Sequence, residues 1–299
     1  MSTSINNMGN NTRSWKNYWK VLISTLLTAI IVACSSGGIN LAGIGGSGFI
    51  STGSISSFGS IFVNGVEFDT DSAVFDIEDS SGSQQDLSVG MVVQISGSIN
   101  ADGLTGIATS VRYGDQLEGP ITGTIIMNAD GTEKAFSVLG TPVIVDSTNS
   151  VFEGTGFSFA SIAQDNSVEV SGYFDQNGAL RATYIAFKAQ VFDPSSTVEI
   201  EGTISGLSGT SFNIRNVAID ASAANLFDLD NGLQDGVFVE VKGLYEAATP
   251  DTPGTPAIIR ATEVEAEDIT LSADADEVSI EGLITRYVSN SDFDINGIP

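Results

Sequence analysis

The chain has 299 residues, of which 11 are Lys or Arg and 37 are Asp or Glu, giving a formal charge of −26. Hydrophobic residues make up 41% and glycine occupies 33 positions, which supports a packed core and excludes a disordered acidic tail. The charge argues against a basic grip on nucleic acid or anionic lipid, and the lack of histidine with a single cysteine removes most zinc sites, most nucleophile–base pairs and any intramolecular disulfide.

Residues 1–20 are polar and carry Arg13, Lys16 and Lys20; every acidic residue comes after Cys34. Val21–Ala33 is a 13-residue apolar run softened only by Ser24, Thr25 and Thr28. About 20 apolar residues are needed to cross a bilayer, so this run predicts the hydrophobic stretch of a secretory signal and not a spanning helix. It ends in Ile31, Val32, Ala33 and Cys34, followed by S-S-G-G. That ending resembles the lipobox of bacterial lipoproteins. The resemblance implies residues 1–33 as a lipoprotein signal peptide and Cys34 as the lipidated first residue of the mature protein. Ser35, where an Asp would resemble an inner-membrane retention signal, points to the outer membrane. The part after Cys34 holds eight basic and 37 acidic residues, a charge of −29. Residues 34–52 are dense in Gly and Ser and read as a flexible tether; G-I-G-G-S-G (43–48) within it lacks the strand and the Gly-Lys-Ser/Thr of a phosphate loop.

The rest is repetitive. Segments with one order of motifs start near Gly53, Gly119, Gly202 and Gly282, three of them after a glutamate, Glu118, Glu201 and Glu281. Next come I-F-V-N-G (61–65), F-S-V-L-G (136–140), F-N-I-R-N (212–216) and F-D-I-N-G (293–297). Short strands ending in Asp follow: V-E-F-D to Asp69, V-I-V-D to Asp146, V-A-I-D to Asp220. After a less regular stretch, a strand closes on Gly97, Gly172 or Gly243, and A-T-x-[V/I] completes the copy at 108–111, 182–185 and 261–264. Alternation with period two predicts half-buried strands. The separators N-A-D-G (100–103 and 128–131) and D-Q-N-G (175–178) predict tight hairpins, and E-A-A-T-P-D-T-P-G-T-P-A (246–257) an extended loop.

Five strands per copy, with the longest irregular stretch between third and fourth, is the order described for the OB-fold, a small partly open barrel that hides its own edges. S-A-A-N-L-F-D-L (222–229) offers a helical turn in that stretch. The expected class is all-β: five-stranded OB-like barrels at 53–117, 118–192 and 197–268, and the start of a fourth at 277–299, where two of five strands cannot close a barrel and a fragment or a defective repeat is expected. The stretches 53–70 and 86–103 carry a close likeness to the bacterial family called domain of unknown function 5666, with looser matches over most of residues 49–299. The resemblance implies tandem β modules in exported proteins, often lipoproteins, and supplies no activity and no functional residues.

Asp69, Asp146 and Asp220 are the candidate ligand residues, one per module. Each is better read as an Asx turn or cap, because calcium takes six to eight oxygens and one repeated carboxylate supplies too few. D-L-D-N-G (228–232) departs from a calcium loop by one residue and lacks its final Glu. Glu118, Glu201 and Glu281 occupy equivalent positions in separate modules, which favours strand-start roles over a glycosidase pair. Phe58, Phe62, Phe68 and Phe75 invite a stacking surface, with Phe62 opposite its neighbours' face and expected to be exposed. No catalytic residue, metal or cofactor is expected. The sequence points to a non-enzymatic envelope lipoprotein, held to the membrane by its lipid, with a protein or glycan partner and no nucleic acid. An oligosaccharide- or peptide-binding barrel face is the alternative, and a carboxylate-dependent hydrolase a remote one.

Overall fold

The computed structural model describes residues 48–248, 257–267 and 277–296. The expected signal peptide, Cys34 with Ile31, Val32 and Ala33, the expected tether up to residue 47 and most of the proline-rich loop lie outside the described residues.

The first module comprises β1 (Phe49–Ser54), β2 (Ile61–Val63), β3 (Val66–Asp69), β4 (Val74–Ile77), β5 (Ser80–Ser81), β6 (Val92–Ile99) and β7 (Thr105–Tyr113). The second has β8 (Leu117–Met127), β9 (Glu133–Val138), β10 (Thr141–Asp146), β11 (Val151–Glu153), β12 (Ser167–Phe174) and β13 (Leu180–Ala189). The third has β14 (Thr197–Ser208), β15 (Ser211–Ile214), β16 (Val217–Asp220), β17 (Asn225–Phe227), β18 (Phe238–Glu246) and β19 (Ile258–Ala266). The fourth copy contributes β20 (Glu277–Ile280), β21 (Ile284–Ser289) and β22 (Asp292–Ile295).

The protein is all-β and its modules are OB-like. In the second, β8 pairs with β9 and β12, β9 with β10, β12 with β13, and β10 runs parallel to β13. The third repeats every ladder with β14, β15, β16, β18 and β19. Both rings close. In the first module no ladder among the described residues joins β1 to β2, and the Ser57–Phe62 bridge lies past the end of β1, so β1 keeps an edge that takes β20 in parallel, from Phe49 opposite Glu277 to Thr52 opposite Ile280. The alternating strands bury one face: Ile61 and Val63, Phe136 and Val138, Phe212 and Ile214 point inward. Fully burying such a side chain contributes about 1.5–3 kcal/mol.

Three expectations are corrected. The stretch between third and fourth strands is not merely irregular: β4, β11 and β17 each add a short strand parallel to the last strand of their module. The helical turn at 222–229 is absent, because Asn225–Phe227 takes the open edge of β19, and so short a segment has no stability as a free helix. Strand pairing in the first module starts at Phe49, earlier than Gly53.

The hairpins form as expected. Gly103, Gly131 and Gly178 have φ of 68°, 72° and 76°, and their amides close on Asn100, Asn128 and Asp175. Gly97, Gly172 and Gly243 sit at bulges where the fourth strand bends; a Cβ there would lie 2.1–2.4 Å from the carbonyl oxygens of Ile107, Arg181 and Arg260.

The modules are not beads on a string. β8 and β14 pair antiparallel, with Glu118 opposite Glu199, so the second and third share one sheet and one core. Tyr184 and Ala186 of β13 are buried in the core of the first module. Thr183 Oγ1 donates to the Gly90 carbonyl at 2.6 Å and the Val92 amide to Ser171 Oγ at 3.0 Å.

Candidate functional site

The repeated aspartates are not brought together. Asp69 Oδ1 accepts the Asp71 amide at 2.9 Å, Asp146 Oδ1 the amides of Thr148 and Asn149 at 2.7 and 2.8 Å, and Asp220 Oδ1 the Ser222 amide at 3.0 Å. Asp220 also takes Arg260 Nη1 at 2.6 Å. They end strands as Asx turns. Asp228 and Asp230 of D-L-D-N-G are exposed and, among the described residues, belong to no carboxylate cluster. Phe68 is buried and stacks on Phe49 at 6.0 Å, Phe62 and Phe75 are half-buried, and only Phe58 is exposed; the four make no stacking surface.

Carboxylates do converge where the three modules meet. The turn between β4 and β5 holds Glu78 and Asp79 at φ 51° and 54°, a left-handed pair that usually needs Asn-Gly, and it carries both side chains into the junction. β7 ends on Tyr113 and the segment joining the first two modules brings Asp115; β12 supplies Glu169, β14 supplies Glu199 and Glu201, and β18 supplies Glu240. Glu169 and Glu240 fall at the same place in their modules, between two core residues, so they project from the barrel and are covered by the neighbouring module to 9% and 5% exposure.

Three cations answer part of this charge. Lys188 Nζ lies 2.9 Å from Glu118 and 3.1 Å from Glu169. Lys242 Nζ lies 2.6 Å from Asp79, 3.0 Å from Glu240 and 3.9 Å from Glu199. Arg112 pairs with Glu267 at 2.6 Å and Asp79 at 3.7 Å. Against them stand nine carboxylates: Glu78, Asp79, Asp115, Glu118, Glu169, Glu199, Glu201, Glu240 and Glu267. Asp115, Glu169 and Glu240 are buried and all the others but Asp79 half-buried, so water screens much of the excess charge poorly. Burial, then the charges of Glu169 and Glu240, push Glu78 up to about 8. Burial with neighbouring carboxylates raises Glu240 to about 9, Glu201 to about 8 and Glu199 to about 7.

Asp115 is the extreme case. It is 1% exposed, and neither carboxylate oxygen has a hydrogen-bond partner. Burial raises its pKa, and Glu78, Glu169, Glu199 and Glu118 add to the rise. Carboxylate oxygens of Glu78, Asp115 and Glu169 lie within 4.8 Å of one another; so do those of Glu78, Glu199 and Glu240, and of Asp79, Glu240 and Glu267. The Asp115 amide donates to Glu78 Oε1 at 3.1 Å, and Tyr113 Oη to Glu169 Oε1 at 2.5 Å. A cleft of about 140 Å³ bordered by Glu78, Arg112, Glu201 and Glu240 opens beside the cluster. These oxygens can hold a proton or a hard cation.

Of the three glutamates expected at strand starts, only Glu118 lies at one, Glu201 being inside β14 and Glu281 just past β20; Glu118 and Glu201 both reach the junction and Glu281 stands apart. Glu118 holds Lys188, Glu201 receives Gln116 Nε2 at 3.4 Å, and Glu281 accepts Ser54 Oγ at 3.0 Å and Tyr173 Oη at 2.9 Å. Sequence reasoning missed the junction. Its one local signal was a glutamate between core valines, in V-E-V at 168–170 and again at 239–241.

No curated protein matches the chain in sequence. Among solved structures it is similar to the Drosophila Unr CSD456, with 12% identity, a TM-score of 0.21, and coverage of 71% of this chain and 85% of that one. A profile of the family described as Domain of unknown function (DUF5666) matches residues 47–112, 118–186 and 201–249, one match per module. The chain belongs to that family.

Proposed function

We propose that this is a lipid-anchored protein of the bacterial envelope, at the outer membrane, whose three modules act as one non-catalytic acidic block for interaction or spacing. The carrying observation is the fusion of the modules: a shared ladder at Glu118–Glu199 and side chains of one module in the core of the next make a body of fixed shape. Burial favours a non-catalytic role, because the facing carboxylates Asp115 and Glu169 are among the residues least reached from outside. The negative surface supports a partner other than nucleic acid. The test is palmitate labelling and membrane fractionation of cells expressing the full chain. The label and membrane retention are expected to vanish in Cys34→Ala, and labelling that survives would refute the anchor.

A second reading rests on a different place. A cleft of about 570 Å³ is lined by Tyr173, Phe174, Phe238 and Arg215, with the Arg215 guanidinium 3.5 Å from the Phe174 ring centre. An aromatic wall beside a fixed cation suits an oligosaccharide or an acidic peptide. Glycan and peptide arrays probed with the full chain and with Phe174→Ala test it; no signal lost on substitution would reject it.

A further inference from the structure

We infer that Glu78, Asp115 and Glu169 form a binding site for a hard divalent cation of the calcium type, which ties the first module to the second. The argument starts from Asp115. A buried carboxylate without hydrogen bonds is costly to keep charged, and a neutral carboxyl would still place its O–H on an acceptor. Asp115 does neither: both oxygens are buried and unpartnered. Among the described residues no Lys or Arg pairs with Asp115 or with Glu78; the third member, Glu169, already takes Lys188 on Oε2 and Tyr113 Oη on Oε1, so it is the charge and not a free oxygen that it brings. Among the described residues, Asp115 and Glu78 thus face each other without a cation of the protein's own where the first and second modules press acidic groups together.

The donors define its chemistry. All are carboxylate oxygens, and the chain has no histidine and no cysteine besides Cys34, which leaves the hard cations. Calcium takes oxygens at about 2.3–2.6 Å, so two ligands on one ion stand up to about 5 Å apart, and carboxylate oxygens that all lie within 4.8 Å of one another can share one. Magnesium at about 2.0–2.1 Å requires a tighter octahedron. Both Asp115 oxygens are unengaged and Glu78 adds a second carboxylate, while the adjoining cleft admits water for the remaining positions. The site joins residues from two modules, so cation binding would stabilise the junction and not a single barrel.

The test uses the full chain in mild detergent, stripped with a chelator, and calorimetric titration with CaCl2 alongside thermal melting. One saturable calcium per chain is expected, with Kd in the range of roughly 10⁻⁵ to 10⁻³ M, and a melting point several degrees higher in 5 mM CaCl2. Asp115→Asn and Glu169→Gln should each weaken binding tenfold or more, Asp228→Asn in the exposed loop should not, and Mg²⁺ should bind at least tenfold more weakly. No saturable uptake up to 5 mM, equal binding by Mg²⁺, or affinity unchanged in Asp115→Asn would overturn the proposal. If Asp115→Asn does not fold, Glu78→Gln decides in the same way, since Glu78 sits on a hairpin turn outside the two hydrophobic cores.

Discussion

The strand-ending aspartates and Asp115 are the same residue in opposite circumstances. Asp69, Asp146 and Asp220 recur in every complete module and bond the next backbone amides. Asp115 occurs once, between modules, sealed from water and without a partner. Repetition marks what each barrel needs in order to close; unusual chemistry appears where the copies differ and touch. The fourth strand shows this within one position: Gln94, Glu169 and Glu240 are equivalent, yet only the two glutamates belong to the carboxylate clusters.

The largest effect should come from breaking a repeated feature. Gly172→Ala puts a Cβ 2.2 Å from the Arg181 carbonyl oxygen, and backbone must move. A loss of about 3 kcal/mol or more is expected, read from the urea midpoint. Asp115→Asn sharpens the other side. In chelator it removes a buried carboxyl without hydrogen-bond partners, so it should melt above the parent by about 1–3 kcal/mol equivalent, and calcium should reverse that order.

Glu201 gives a pH signature. Its carboxyl is raised to about 8, so the fold favours the proton: the stability this confers is full below the usual carboxylate range and lost as pH climbs through about 8. Melting between pH 5 and 8 should show the parent losing ground to Glu201→Gln, by about 1–2 kcal/mol once partial solvent screening is allowed for. The smallest effect belongs to the Asx turn. Asp146→Ala should lower stability by about 1 kcal/mol and Asp146→Asn hardly at all, with calcium affinity unchanged in both.

Much of the barrel was legible because its causes are local. Period-two alternation, N-A-D-G and D-Q-N-G turns and Asx residues act over a few positions. The glycines after Glu118, Glu201 and Glu281 were visible as a repeat, and only the structure gives the reason. Asn64, Leu139, Arg215 and Asn296 take φ of 52–54° at the first hairpin and fold over Gly53, Gly119, Gly202 and Gly282. A Cβ at three of those glycines would lie 2.2, 2.7 and 2.1 Å from the side chains of Asn64, Leu139 and Asn296. The junction was not legible. Glu78, Asp115 and Glu169 are far apart in sequence, and their meeting depends on how one barrel docks against the next, which no local pattern encodes. The short strands β4, β11 and β17 escaped for a similar reason, since each exists by virtue of the edge it borrows.

The parallel pairing of β20 with β1 has a mechanical consequence. β1 is held on one side by β6 and on the other by β20. A pull on the residues before Phe49 runs along β1, so it loads both ladders in shear and their hydrogen bonds resist together. Without β20, only one ladder would carry that load. The early part of the fourth copy thus works as a clamp on the strand where a pull from the N-terminal side arrives.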